Sequence, residues 1–224
     1  MNKIDILMLV GTYNSTLKQI TKDALNSLKL SDINIDFKII ILESNEKENA
    51  YQEFNILQIN TLPPLNCAKA LNLGIKECRK DTNLIVICNN DLIFETSWAT
   101  NLLKAFKEHN LDSGCPFDPR YHNLTYKDKI TFGYGFRQEV IGWCIAITLN
   151  TYSIIENFDE QFDFYYGDND YIMKLKKYKL KHALVGTSYV QHLLSQSHNI
   201  LTQEQKNIMA SIAKEKFEKK WMLK

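Results

Sequence analysis

Apolar residues follow two different periods along the first half of the chain, and their alternation predicts the architecture. Residues 4–10 form a continuous apolar run, as expected of a strand covered on both faces. After a break at 11–14, Leu17, Ile20, Ala24 and Leu28 recur at helical spacing. Residues 37–42 and 54–59 read as two further buried strands. Leu62-Pro63-Pro64 precedes a predicted helix over about 66–79, followed by a strand at 84–88 and a helix at 97–109. This order predicts an α/β fold with a largely parallel central sheet and helices on both faces. In such sheets ligands bind outside the carboxyl ends of the strands.

Three predicted strands end in polar groups: Gly11-Thr12-Tyr13-Asn14, Glu43-Ser44-Asn45 and Asn89-Asn90-Asp91. As parallel neighbours they would gather these groups along one edge. From about residue 113 the pattern changes. Glycine and aromatics thicken in Phe132-Gly133-Tyr134-Gly135-Phe136, and 140–148 reads as a strand. The aromatic-acidic stretch FDEQFDFYYGDNDY follows, then a basic helix over about 171–179 and apolar segments at 182–185 and 188–192. Residues 202–224 read as one amphipathic helix, with Thr202 and Gln205 as a capping box and Ile208, Ile212 and Trp221 on its apolar side. We expect one main domain at 1–201 and this helix packed on it or extending from it.

Composition narrows the classes. The chain has 224 residues, of which 45% are hydrophobic, enough for one full core. Its net charge is +1, so no global basic field points to nucleic acid or an anionic membrane. The five cysteines are odd in number and form no CxxC pair, which favours buried reduced thiols in a cytoplasmic protein. No run reaches the roughly 20 apolar residues that a membrane span needs, so a soluble protein is expected.

Three clusters could carry chemistry. A carboxylate beside amides at a strand end, as in Asn89-Asn90-Asp91, suits Mg²⁺ or Mn²⁺, which take few protein oxygens and fill their shells with water and substrate phosphates. The same tripeptide also fits an ordinary turn. Acidic groups among aromatics, as around Asp168 and Asp170, acquire the raised basicity that a general base needs. Either residue would equally serve as a helix cap. His192 could complete a divalent site, although a lone histidine at a strand end is commonly structural.

Taken in order, VGTYN, ILESN, NxxxALNLGI, VICNNDLIF, FDExFxFYYGDND and VQH resemble the family 2 glycosyltransferases of the GT-A fold over about residues 4–198. The resemblance implies a Rossmann-like sheet, rhamnosyl- or glucosyltransferase-like chemistry and inverting transfer from a nucleoside-diphosphate sugar, with UDP or dTDP favoured. It implies Thr12, Tyr13 and Asn14 in the first nucleotide loop, Glu43 at the base or ribose, and Asn72 with Gly74 beside the nucleotide. Asn89, Asn90 and Asp91 stand where the family has its DxD motif, so Asp91 would hold Mn²⁺ or Mg²⁺ together with His192. Asp168 matches the catalytic base and Asp170 the second acid of that motif. Asn89 and Gly167 depart from the family's acidic residues, and Glu43 is one methylene longer than its usual Asp.

The acceptor is expected to be a glycan or another hydroxyl compound, bound near 115–137 with Trp143, Tyr165 and Tyr166 as aromatic surfaces. Surface-polysaccharide synthesis is the default role that the resemblance implies. The net-basic C-terminal helix could approach a membrane surface or a phosphate-bearing acceptor, or simply pack on the domain. Rival readings are a nucleic-acid-modifying transferase, a nucleotidyltransferase, and a degenerate module that binds a sugar nucleotide without turning it over.

Overall fold

The structure, a computed structural model, describes residues 1–11, 15–44, 51–61, 65–163, 165–193 and 202–223. The first half builds a parallel sheet from β1 (Asn2–Val10), β2 (Ile35–Glu43), β3 (Leu57–Asn60) and β4 (Leu84–Asn89), in the order β3-β2-β1-β4. The helices α1 (Ser15–Ser31) and α2 (Cys67–Lys76) form the crossovers. The apolar runs become strands because both faces are covered: Ile4, Ile6, Leu7, Ile40, Ile41, Val86 and Ile85 are fully buried. Asn66 starts α2 by accepting from Lys69 N at 2.8 Å. Gly74 lets α2 lie close on the sheet, since a Cβ there would sit 2.9 Å from Leu42 and 3.1 Å from Leu7.

Beyond β4 the sheet is mixed. It continues through β8 (Cys144–Ile147), β6 (Ser113–Phe117), β9 (His182–His192) and β5 (Leu92–Phe94), with β7 (Ile130–Phe132) also on β9. β8 runs antiparallel to both β4 and β6, while β6 and β9 are parallel. The remaining helices are α3 (Trp98–His109), α4 (Leu149–Ile155), α5 (Gly167–Lys177) and α6 (Gln203–Trp221).

Several boundaries differ from expectation for local reasons. The predicted strand at 54–59 is split, because Gln52–Phe54 forms a 3-10 turn and Asn55 adopts a left-handed conformation (φ 49°). α2 stops at Lys76, and Arg79 just beyond it donates from its backbone and side chain to the buried Asp5. Residues 182–185 and 188–192 belong to one strand. α5 begins at Gly167, not near Tyr171, so Asp168 lies inside the first turn and is not its cap.

α6 has the expected capping box but turns a different face inward. Ala213 and Phe217 are buried, whereas Ile208 and Ile212 are about half exposed (53% and 51%). Phe217 packs against Phe162 and Tyr166, and Lys216 donates to Gln161 O. The helix therefore closes over the aromatic-acidic segment. Among the described residues no helix is long and apolar enough to cross a membrane.

Candidate active site

Topology decides which side chains meet. Val10 pairs with Glu43 and Leu9 with Asn89, so the carboxyl ends of β1, β2 and β4 lie at one edge. β9 runs in the same sense as β4, which brings His192 to that edge. β8 runs oppositely and brings its start there, with Asn89 N donating to Trp143 O at 3.0 Å. A cleft of about 900 Å³ opens along this edge; its walls include Asn89, Asn90, Asp91, Trp143, Asp168, Asp170 and His192. The sequence-predicted acids, amides and imidazole thus do converge.

Asp91 and His192 form its inner end. Both are buried, and Asp91 Oδ1 lies 3.2 Å from His192 Nε2. That separation suits an ion pair, and Nε2 has no hydrogen-bond partner among the described residues. The donor set suits a hard divalent cation that takes its other ligands from water and phosphate. Among the described residues no group of three or more His, Cys, Asp and Glu side chains is arranged for a metal.

His192 is held by residues that sequence reasoning missed. Asp118, fully buried, accepts from His192 N through Oδ2 and from Arg120 N through Oδ1, each at 2.8 Å. Arg120 Nη2 donates to His192 O at 2.8 Å, so both backbone polar groups of His192 are held. On the other side, Leu193 N donates to Asp91 O at 2.8 Å. The β6–β9 ladder shifts register between Pro116 and Phe117, immediately before Asp118. A side chain therefore bonds the His192 amide just past the shift. The DPRYH segment gave no periodic signal, and only the buried aspartate's partners reveal its role.

Asp168 stands elsewhere in the same cleft. Burial pushes its carboxyl above the usual aspartate range, against the opposing pull of the Asn169 and Asp168 amides at the start of α5 and of the Arg137 guanidinium. Desolvation wins, so the group is a stronger base than an exposed aspartate. Gly142 makes room for it: a Cβ there would lie 3.0 Å from Asp168 Oδ2. Arg137 projects from a tight loop, in a left-handed conformation (φ 59°), and packs on Phe136 at 5.1 Å.

Asp170, on the cleft wall, is already bonded by α6. Its Oδ1 accepts from Lys220 Nζ at 2.6 Å and from Trp221 Nε1 at 2.9 Å. Lys220 also reaches Asp159 at 2.7 Å, so α6 ties down both ends of the segment that carries Asp168. Asn90 is likewise occupied, donating to Thr21 Oγ1 on α1 at 2.8 Å.

Two other expected nucleotide contacts lie outside the cleft walls. Asn72 clamps Phe158, accepting from its N and donating to its O, both at 2.9 Å. Glu43 is fully buried and accepts from Gln58 Nε2 at 2.7 Å, with Tyr51 OH at 3.5 Å. Thr12, Tyr13 and Asn14 lie outside the described residues.

The α/β fold that carries this sheet edge is of the GT-A class, as its similarity to solved glycosyltransferases shows. Similar solved structures include a Drosophila β1,4-galactosyltransferase 7 variant with manganese, UDP-Gal and xylobiose (13% identity, 93% of this chain and 79% of that one, TM-score 0.54). GalNAc-T7 with UDP, GalNAc and Mn²⁺ matches at 9% identity over 85% of this chain and only 44% of its own (TM-score 0.62). S. aureus TarS matches at 12% identity over 95% of this chain and 70% of that chain (TM-score 0.61). No curated protein matches the chain. The sequence model of glycosyl transferase family 2 matches residues 8–176, and the chain belongs to that family. As a member of that family it is a glycosyltransferase.

Proposed function

We propose that the protein is an inverting transferase in which Asp168 is the base and Asp91 with His192 holds the donor's divalent cation. The observation that carries this reading is the buried carboxylate of Asp168, raised in basicity, in one cleft with the buried Asp91–His192 pair. Asp168 takes the proton of an acceptor hydroxyl as its oxygen bonds to the anomeric carbon. The bond from that carbon to the diphosphate breaks on the opposite face, and the nucleoside diphosphate leaves with the electron pair. Mn²⁺ or Mg²⁺, when bound, supplies positive charge against the departing diphosphate. The cleft walls hold donor and acceptor in line, which supplies further acceleration.

UDP or dTDP is the donor nucleotide in this reading, and the acceptor is a glycan hydroxyl, as in surface-polysaccharide synthesis. The manganese and UDP-sugars in the structural neighbours support the donor class, and xylobiose supports a glycan acceptor. The free cysteines suit a reducing compartment such as the cytoplasm. The outer side of α6, with Ile208, Ile212, Lys214 and Lys219 exposed, would serve any peripheral contact with a membrane or a phosphate-bearing acceptor.

The test is Asp168→Asn, assayed by donor turnover and by UDP binding. Turnover should fall by at least about a thousandfold, within the usual reach of general base catalysis, while UDP affinity holds within twofold. Turnover at the parent rate would remove Asp168 from the base role.

A further inference from the structure

Three tryptophans are present, and two of them satisfy their indole N–H groups within the protein. Trp98 Nε1 donates to Ser31 Oγ and Trp221 Nε1 to Asp170 Oδ1, each at 2.9 Å. Trp143 is the exception. It is 7% exposed and forms part of the cleft wall, and its Nε1 has no hydrogen-bond partner among the described residues. A buried donor left unpaired is a standing cost to the fold, and a bound acceptor atom would relieve it.

The surroundings of the ring say what that acceptor is. The indole stacks on His192, with centroids 5.2 Å apart and planes 12° from parallel. Tyr121 meets it edge-on at 6.5 Å, and His122 is tilted against it at 6.4 Å. With one face on His192, the ring is poorly placed to be the broad sugar-stacking surface that its residue type suggested. His192 Nε2, the neighbouring unbonded nitrogen, lies beside Asp91. The unpaired N–H therefore borders the pair that would hold the donor's cation and, with it, the diphosphate. Phosphate oxygens are strong acceptors carrying charge, and a hydrogen bond to a charged group is roughly twice as strong as a neutral one.

We infer that the indole N–H of Trp143 donates a hydrogen bond to an oxygen of the donor's diphosphate. The inference rests on the nucleotide-sugar reading and adds a binding residue to it. It makes Trp143 a polar anchor for the leaving group, with the stack on His192 fixing its direction.

Trp143→Phe tests this, because phenylalanine preserves the stack and deletes only the donor. Calorimetric titration with UDP in Mg²⁺ should give a Kd about tenfold higher than the parent's, equivalent to about 1.4 kcal/mol. Uridine, which has no phosphates, should bind both proteins within twofold. In ¹⁵N–¹H spectra of the parent chain, UDP with Mg²⁺ should move one of the three indole signals downfield, the one missing from Trp143→Phe and still present in Trp221→Phe. Those of Trp98 and Trp221 should stay. An unchanged UDP Kd, an equal loss for uridine, or a stationary Trp143 signal would overturn the inference while leaving the enzyme's donor class intact. Absence of binding by the parent to UDP, dTDP and GDP alike would instead remove the nucleotide-sugar reading, and this inference with it.

Discussion

Replacing Asp118 by asparagine should weaken both the fold and the proposed cation site. The carboxylate is fully buried and accepts two backbone N–H groups, from His192 and Arg120, each at 2.8 Å. Asparagine has the same shape but one accepting oxygen, so in either orientation its NH₂ faces one of those donors. Losing one bond to a charged acceptor costs about 1.5–3 kcal/mol, and the surviving neutral bond is weaker by about another 0.5–1. The sum, about 2–4 kcal/mol, corresponds to a Tm lowered by roughly 4–16 °C for a protein of this size.

The second consequence is specific to the site. With its peptide no longer held, His192 loses its fixed approach to Asp91, and loosening the support of a metal ligand typically costs 10–100-fold in affinity. Thermal unfolding followed by circular dichroism reads the first effect. Titration of UDP in Mn²⁺ and in EDTA reads the second. Affinity in Mn²⁺ should fall by about tenfold or more, with the EDTA arm unchanged. A Tm within 1 °C of the parent, or an equal loss in both arms, would refute the reasoning, since a merely structural aspartate does not separate them.

Asp168→Asn should raise the Tm of the ligand-free protein at neutral pH. The folded-state pKa of Asp168 lies above its unfolded value, so its contribution to stability is complete below the unfolded pKa and is lost as pH rises through the folded one. Asparagine is neutral throughout, and a lowered Tm at pH 7 would contradict that account. His182 behaves oppositely. Buried between Ser113 Oγ and Glu139 O, its pKa is lowered to about 4, so stability is present above about 6.5 and is lost as pH falls toward 4. The loss reaches about 3 kcal/mol, and urea titrations of His182→Gln between pH 7 and 4 should be flatter than those of the parent. Lys220→Ala removes the closest cation from the nearly buried Asp170 carboxylate, leaving it Trp221 Nε1 and the more distant Lys174, and should cost about 1.5–3 kcal/mol. Chemical denaturation reads that loss, and a change below about 0.5 kcal/mol, the usual scatter of a surface substitution, would mean that α6 does not brace the segment.

The first half of the fold was legible because its strands are buried on both faces and its helices keep a clean 3.6-residue period. The second half was harder. β6 reads Ser-Gly-Cys-Pro-Phe, a composition that does not announce a strand, and it forms because β8 and β9 flank it. β5 has only three residues, too short for a periodic signal. Among site residues, polar groups at strand ends were readable because topology forces them together. What sequence could not give was direction. Asn72, Asn90 and Asp170 match motif positions yet spend their side chains on Phe158, Thr21 and Lys220. Asp118 and Arg120 sit in an irregular segment and act through the His192 backbone, which no side-chain pattern encodes.

The central claim is a metal-supported nucleotide site at the carboxyl edge of the sheet, and calorimetry with UDP, dTDP and GDP, each in Mn²⁺ and in EDTA, tests it most directly. The account predicts that UDP or dTDP binds in Mn²⁺, weakens at least tenfold in EDTA, and shows no such metal dependence in Asp91→Ala. Binding that is indifferent to the metal, or no binding of any of the three, would contradict it.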